Sequence, residues 1–568
     1  MRIHQMATAL AILLATGATA LAQDAGPEPE SKPQHKHYRE PAKADKPSPS
    51  GALAPRLQNL GKHTFPVSCE SERAQLFINQ GVNLAYGFNH AEAGRSFREA
   101  ARLAPDCAMA YWGQALVLGP NINVPMDQEM EPKALELAQK AMSLRDSANK
   151  RERALIEALA KRYSGDPTDR RQRDQDYAAA MAKVAQQFPD DLDIATLYAE
   201  SMMDLRPWNY WMRDGTPYEG TEQIVALLES VMSRNPKHPG ALHLYIHLIE
   251  PTKDPERAEK AADALTGLMP GAGHIVHMPA HIYQRVGRYE DSAKANERAI
   301  AADEDYISQC RAQGIYPMAY YPHNIHFLWF ATTAQGRGAA AIDAANKTAE
   351  QIGDEALKEM PMLAGFRVVP YWALARFGKW DEVLALPQPP DDPFLTGAWH
   401  YVRGLAYVGK GNLDAASGEL EKLRKITASP ALDYSMFSPN SAASILAIAP
   451  EVLAGELAAV KGDYDTAIAH LDRAVRMEDG LVYTEPAEWH YPPRLALGAV
   501  LLDAGRPGEA ETVYWQALEH HPQSGWALFG LSRALREQHK TAEAELVDAR
   551  FKQAWRNADV KLTASRIR

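Results

Sequence analysis

The residues with the clearest chemical potential are histidines, eight of which lie between residues 238 and 326. His243 and His247 are four residues apart, and so are His277 and His281. In a helix, residues four apart project from one face, and imidazole nitrogens there can bind zinc, copper, iron or nickel. The sequence therefore predicts a transition-metal site, and its candidate ligands are His243, His247, His277, His281, His326, His274 and His323.

Other residues near this cluster could take part in metal chemistry. Glu200 and Glu250 are candidates for a general base or for further ligands, and so many donors make a site for two ions geometrically possible. Arg206 and Trp208 are candidate substrate-binding residues, since a guanidinium can hold an anionic group. A surface role for Arg206 and packing of Trp208 over a helix end stay open. The sequence contains no P-loop, Gly-x-Ser-x-Gly, Cys-x-x-Cys or His-Glu-x-x-His motif.

A repeat positions these residues. Two sets of five residues share the separations 12, 4, 3 and 5, and they are Gly81, Ala93, Phe97, Ala100 and Pro105, then Gly498, Ala510, Tyr514, Ala517 and Pro522. This pattern resembles the tetratricopeptide repeat (TPR) of about 34 residues, and the histidine-bearing central repeats resemble those of secreted bacterial TPR proteins. The resemblance implies stacked pairs of antiparallel helices, with small residues at positions 8 and 20 and a bulky residue at position 24. It also implies that positions 2, 5, 9 and 12 line a concave groove.

The repeat register places the histidines on that groove. Residues other than histidine set position 1 at Pro239, Gly273 and Pro322 in three consecutive repeats. Seven of the eight histidines then fall on groove positions, and only His238 does not. The inner positions 5 and 9 hold His243, His247, His277, His281 and His326, while Glu250 takes position 12 and Glu200 takes position 9 of its own repeat. The seven histidines are therefore expected to converge.

These patterns predict an all-α, TPR-type antiparallel helix-pair solenoid with a right-handed superhelix. Residues 1–22 have the pattern of a cleaved signal peptide ending near Ala22, and residues 23–56 are a Pro-, Lys- and Ser-rich tether expected to be disordered. A continuous solenoid is expected over 57–568, with the histidine-rich repeats at about 192–350. Two insertions, after about 204 and near 306–321, carry aromatic residues and flank these repeats.

Composition limits the class of partner. The formal net charge is -11, which argues against nucleic-acid binding. After the signal peptide no apolar stretch of about 18 residues is expected to span a membrane, so a periplasmic or secreted location is predicted. Cys69, Cys107 and Cys310 cannot all pair with one another, and a disulfide between Cys69 and Cys107 stays open.

Three functions are consistent with these features. The groove could hold a catalytic metal centre that contains one or two ions of copper, zinc or iron. It could carry or store a metal without turnover. Alternatively, the protein is an adaptor whose groove holds a peptide, a protein partner or a small molecule, with the histidines as polar contacts. The sequence does not decide whether the protein is an enzyme, nor its oligomeric state.

Overall fold

The structure is a computed structural model that describes residues 47–48, 51–309, 316–437 and 439–568. The predicted signal peptide, most of the predicted tether and Cys310 lie outside the described residues.

The described helices follow one another in chain order. The first ten are α1 Glu72–Tyr86, α2 His90–Leu103, α3 Ala108–Leu116, α4 Glu131–Ser143, α5 Lys150–Leu159, α6 Arg170–Gln187, α7 Leu192–Met203, α8 Thr221–Arg234, α9 Pro239–Ile249 and α10 Glu259–Leu265. The next nine are α11 Gly273–His277, α12 Pro279–Arg285, α13 Tyr289–Gln309, α14 Tyr316–Ala334, α15 Gly338–Glu350, α16 Asp354–Glu359, α17 Ala364–Arg367, α18 Val369–Arg376 and α19 Trp380–Ala385. The last nine are α20 Pro393–Gly409, α21 Leu413–Thr427, α22 Ala442–Leu446, α23 Ile448–Val460, α24 Tyr464–Asp479, α25 Pro493–Asp503, α26 Pro507–His520, α27 Gly525–Glu537 and α28 Thr541–Ala554.

The all-α prediction is confirmed for the described residues, in which three isolated β-bridges are the extended pairings and no strand forms. Short 3₁₀ turns connect some helices, at Gln128–Met130, Arg145–Ser147, Pro167–Asp169, Pro255–Ala258, Pro361–Leu363 and Pro430–Leu432. Polar side chains begin several helices. Ser71, for example, accepts a hydrogen bond from the Ala74 backbone at the start of α1, which satisfies one of the free N–H groups of the first turn.

The helix pairs pack as the repeat spacing predicts. A Cβ atom built on Gly81 of α1 would lie 2.6 Å from the Phe97 ring of α2, and one on Gly498 of α25 would lie 2.5 Å from the Tyr514 ring of α26. Small residues at position 8 therefore let the bulky residue at position 24 fill the seam between the helices. Phe97 and Tyr514 are both fully buried.

The turn inside these helix pairs has one recurring conformation. Two residues before the second helix, the backbone adopts a positive φ, and the following N–H donates to a carbonyl five residues back, as in the Schellman helix end. Glycine occupies this position in six pairs, at Gly287, Gly336, Gly378, Gly411, Gly462 and Gly505. The same position is held by Phe88 (φ 55) between α1 and α2 and by His539 (φ 61) between α27 and α28.

The chain divides into two compact units. The first contains the residues up to Ile282 together with Arg298–Tyr321, and the second contains Tyr283–Glu297 together with Pro322–Arg568. The prediction of one continuous solenoid over 57–568 stays a prediction.

The two insertions differ in structure. The first, between α7 and α8, is non-helical and contains the isolated bridge between Trp211 and Pro217. The second was expected to be a loop near 306–321, and this is wrong for much of its length, since α13 continues to Gln309 and α14 begins at Tyr316. Pro322, expected to begin the repeat, lies inside α14. Burial of the Tyr316 and Tyr320 side chains stabilises the additional turns of α14.

A non-helical segment follows α28 and contacts the second unit. Asp559 accepts hydrogen bonds from the backbone N–H groups of Gly338 and Ala339 at the start of α15. Arg566 forms ion pairs with Glu456 of α23 and Asp503 of α25. We call residues 559–568 the tail.

One segment of the described residues is long and apolar enough to cross a membrane, namely Ala442–Val460, which comprises α22 and α23 and has a hydropathy of 1.7. This differs from the expectation that no apolar stretch of this length follows residue 22. In the structure 72% of it is buried within the protein, and α23 packs along α24.

Cys69 and Cys107 form a disulfide, with Cα atoms 5.3 Å apart. It joins the segment before α1 to the residue that precedes α3, so the pairing left open by the sequence is present in the structure.

Candidate metal centre

Three helices of the first unit carry the central histidines. His243 and His247 lie on α9, His274 and His277 on α11, and His281 on α12. Each of these residues is at most 2% exposed. Pro279 separates α11 from α12, because proline lacks the N–H that would continue the helix, yet His277 and His281 still meet with their Nε2 atoms 2.7 Å apart.

His243, His247 and His274 form the tightest group, which we call the histidine trio. Each offers one ring nitrogen, and these nitrogens lie within 4.8 Å of one another. The Nε2 atoms of His243 and His274 are 3.1 Å apart. His243 Nδ1 lies 2.6 Å from the Tyr86 carbonyl oxygen, so Nδ1 must carry the proton and donate it. The Nε2 lone pair of neutral His243 is therefore directed at the centre of the trio.

Glu250, which directly follows α9 as its C-cap, orients two imidazoles. Its Oε1 accepts from His247 Nδ1 at 2.9 Å, and its Oε2 accepts from His281 Nδ1 at 2.7 Å. Glu250 is fully buried. A carboxylate bonded to the outer nitrogen of a metal-binding histidine is a common arrangement in metal sites, because it fixes the tautomer and raises the basicity of the other nitrogen.

Two ring nitrogens of the trio have no protein partner. His247 Nε2 and His274 Nδ1 are buried and unbonded among the described residues. A buried polar atom without a partner destabilises the folded protein by about 1–3 kcal/mol. Since Glu250 holds the proton of His247 on Nδ1, the free Nε2 carries a lone pair, which is the group that a metal ion requires.

Burial keeps the trio neutral. Desolvation lowers the pKa of His243 and His274 well below the ordinary value, and the neighbouring histidines lower it further. The pKa of His247 is also lowered by burial, although Glu250 opposes the change. Neutral imidazoles are the form that binds metals.

Aromatic rings enclose the trio. The Phe88 ring centroid lies 4.4 Å from that of His243, 5.9 Å from that of His247 and 5.7 Å from that of His274. Trp208 of the first insertion meets His247 edge-on at 5.1 Å. Tyr320 meets His274 at 4.7 Å. Phe88 was not among the residues predicted from the sequence, although the repeat register offered a signal, because Phe88 stands where six other helix pairs have glycine.

A second group, His63, Asp193 and His238, also brings three donors together in the first unit. Asp193 Oδ1 accepts from His63 Nε2 at 2.9 Å, from His238 Nε2 at 3.2 Å and from the Tyr86 hydroxyl at 2.8 Å. His238 Nδ1 accepts from the Ala241 N–H, so the proton of neutral His238 is on Nε2. That nitrogen has no lone pair for a metal, and the group is a hydrogen-bond network that caps α9. None of its three residues was among the site residues predicted from the sequence.

His323, His326 and Arg206 are not members of the histidine trio. His323 and His326 are on α14 in the part assigned to the second unit, where His326 stacks on Trp329 and burial lowers the pKa of His326 to about 3. Arg206 is exposed and lies over the Tyr218 ring at 4.5 Å. The participation of these residues in a metal or substrate site stays a prediction.

Glu200 lines a different cavity in the first unit, together with Arg162 and Asp204. Desolvation and the neighbouring Asp204 raise the pKa of Glu200 to about 8. Glu200 is not among the described groups whose donor atoms converge with the histidine trio.

Residues 493–534 match the family described as tetratricopeptide repeat. These residues are α25, α26 and most of α27. No curated protein matches the chain.

Several solved structures are similar to this chain. The Cut9–Hcn1 hetero-tetramer of the APC/C has 12% identity and a TM-score of 0.36, with 86% of this chain and 80% of that chain covered. Ypp1 has 9% identity and a TM-score of 0.44, with coverages of 89% and 78%. A human IFIT1 dimer with m7Gppp-AAAA has 14% identity and a TM-score of 0.32, with coverages of 80% and 90%. None of the three decides what this chain binds, so the expectation that it does not bind nucleic acid stays a prediction.

The repeat match agrees with the architecture. Helices pack in adjacent antiparallel pairs, and position-8 glycines face bulky side chains in the first pair and in the matched pair. The described part of the chain is therefore all-helical and built of packed helix pairs, and residues 493–534 match a tetratricopeptide repeat.

Proposed function

We propose that this protein binds a transition-metal ion through His243, His247 and His274. The observation that supports the proposal most directly is His247 Nε2, a buried lone pair with no partner among the described residues, facing two further imidazoles. Two nitrogens bound to one tetrahedral zinc ion at its usual bond length are about 3.3 Å apart. The 3.1 Å between the His243 and His274 Nε2 atoms is close to that value.

The ion would be zinc, copper or iron, since these ions favour imidazole nitrogen. Three protein ligands leave a coordination position for water or a substrate, as catalytic sites do. Glu250 would hold His247 in its ligating tautomer, a positioning role that uses both of its oxygens. His277 and His281, with their Nε2 atoms 2.7 Å apart, are the ligands that a second ion would use.

Metal analysis of the tag-free protein tests this proposal. Metal-stripped protein should bind at least one equivalent of Zn²⁺ or Cu²⁺, measured by elemental analysis after desalting. His247→Ala combined with His274→Ala should remove that equivalent and leave the helical circular dichroism signal intact. His470→Ala, which replaces a partly exposed histidine paired with Glu451, is the matched control. Absence of bound metal in the unaltered protein would refute the proposal.

Exchange rate separates a metal enzyme from a metal carrier. An ion that stays bound through prolonged dialysis against a chelator, while still accepting an added ligand, supports catalysis. An ion that transfers within seconds to a competing chelator supports carriage. Both readings require the histidine trio.

A second candidate function is peptide binding, and the tail favours it. The tail is a non-helical segment that contacts the first helices of C-terminal helix pairs, where Ser565 donates to the Leu495 carbonyl and Arg566 pairs with Glu456. This face of the second unit is thus complementary to a non-helical basic peptide. A synthetic peptide of residues 559–568 should bind saturably to protein truncated after residue 558, and no binding would exclude this function for that face.

We also propose that the protein works in an oxidising compartment outside the cytoplasm. The signal-peptide pattern of residues 1–22 is joined by the Cys69–Cys107 disulfide, a bond that persists in secreted and periplasmic proteins and is rare in the cytosol. Fractionation of cells that make the full chain tests this, since a cytoplasmic product with an uncleaved N-terminus would contradict it.

A further inference from the structure

The backbone around the histidine trio contains two aromatic residues in an unfavourable conformation. Phe88 and Trp208 have φ values of 55° and 63°. Side chains with a Cβ atom disfavour this left-handed region, and it is rarely used by bulky residues. Five described non-glycine residues have a positive φ, and three of them carry rings, namely Phe88, Trp208 and the exposed His539. Phe88 and Trp208 both contact His247.

Glycine would adopt the backbone conformation of Phe88 with less strain. Six helix pairs place glycine at the same turn position with the same backbone hydrogen bond. Phe88 is 4% exposed and its ring contacts all three imidazoles of the trio. Strained residues of this kind persist where the surrounding structure needs the side chain at that point, and they cluster at functional sites.

A hydrogen bond to Asn123 holds the Trp208 ring in place. Its Nε1 donates to Asn123 Oδ1 at 3.1 Å, so the indole meets the His247 ring with its orientation fixed by a residue of a separate loop. Phe88 and Trp208 therefore restrict the space around the His247 ring, whose buried Nε2 has no partner among the described residues.

We propose that Phe88 and Trp208 form an aromatic cover over the metal site and limit its open coordination position to small ligands, of the size of water or azide. The proposal rests on the metal binding proposed above. It assigns the class of molecule that the site accepts, because the Phe88 ring lies 4.4, 5.9 and 5.7 Å from the rings of His243, His247 and His274 and takes up space that a ligand as large as imidazole would need. The two rings are specificity-determining residues, and neither ligates the ion.

Cobalt(II) provides the readout, since its visible absorption changes when a new ligand binds. The cobalt-loaded full chain should respond to azide and respond weakly to imidazole. In Phe88→Ala the imidazole response should appear at a concentration at least tenfold lower, with the azide response unchanged within threefold. Phe88→Leu, which keeps most of the buried volume, should be intermediate. Trp208→Leu should also strengthen the imidazole response.

His539→Ala is the matched control, because His539 occupies the same left-handed turn position and is exposed. It should leave both titrations unchanged. Equal imidazole titrations in the unaltered protein, Phe88→Ala and Phe88→Leu would overturn the cover while leaving metal binding in place. A chain that takes up no cobalt would instead refute the metal site itself, and the cover with it.

Discussion

At the scale of single residues, the position of a proton decides which histidines are suited to a metal. His238 directly precedes α9 and His243 lies within it, yet their ring nitrogens have different hydrogen-bond roles. His243 Nδ1 faces a carbonyl oxygen and must donate, whereas His238 Nδ1 accepts from a backbone N–H. The first arrangement frees the Nε2 lone pair and the second uses Nε2 as a donor to Asp193.

The sequence could not supply this distinction. The register placed His243 on the groove and His238 in a loop, but the partner of His243 is the carbonyl of Tyr86, 157 residues earlier. A tautomer depends on the atom that the ring meets in space. Phe88, by contrast, could have been noticed as a bulky residue at a glycine position of the repeat.

Glu250 provides a prediction at this scale. In Glu250→Gln the amide has one oxygen, so it cannot accept from both His247 and His281, and one imidazole loses its fixed tautomer. Metal affinity should fall about 10- to 100-fold, the usual effect of losing such a partner. Competition against a chromophoric zinc chelator measures it. Glu229→Gln, at a carboxylate paired with Tyr245 on the exposed side, should leave the affinity unchanged, and equal affinities in both variants would contradict the role of Glu250.

At the scale of helices, the spacing of small and bulky residues was the most informative part of the sequence. The helix starts expected at Pro239 and Gly273 are observed at α9 and α11. The start expected at Pro322 is not, since α14 begins six residues earlier, at Tyr316. Burial of Tyr316, whose hydroxyl donates to Asp303 and accepts from the His274 N–H, outweighs the preference of proline for a helix start. Tertiary contacts of this kind are not encoded in the local pattern.

Glycine substitutions test the packing rule for helix pairs. Gly498→Ala places a methyl group 2.5 Å from the Tyr514 ring, and such overpacking destabilises a protein by about 1–3 kcal/mol. Gly418→Ala lies within α21 with nothing within 4 Å of the added methyl group, so it should stabilise the protein by up to about 1 kcal/mol through helix propensity. Urea unfolding measures both. Equal midpoints for the two variants would show that position 8 does not govern the packing.

At the scale of the whole molecule, partly buried, neutral histidines make stability depend on pH. Desolvation is the main cause that lowers the pKa of His90 to about 4 in the first unit and of His521 to about 3 in the second. An unfolded histidine has a pKa of about 6.5. Below that pH the unfolded chain binds protons that the folded chain does not, so the free energy of unfolding falls as the pH falls.

We therefore expect the urea midpoint to be lower at pH 5 than at pH 7.5. Each group contributes at most about 1.4 kcal/mol per pH unit between its unfolded and folded pKa values, and less where solvent reaches the ring. Replacing His90 by Gln should reduce the difference between the two midpoints. An identical urea midpoint at both pH values would mean that these imidazoles are protonated at pH 5 in the folded protein as well as in the unfolded chain.

The tail changes how the second unit can come apart. In an ordinary repeat array each unit touches only its neighbours, so an end can fray while the rest stays folded. Here Arg566 forms ion pairs with α23 and α25, and Asp559 accepts a hydrogen bond at the start of α15. The tail therefore connects helices that are more than one hundred residues apart in the sequence. Arg566→Ala should split a single unfolding transition into two or broaden it, whereas Arg556→Ala, which breaks only a surface pair with Glu290, should not. The C-terminal helices that the tail contacts can therefore separate from one another only after these tail contacts break.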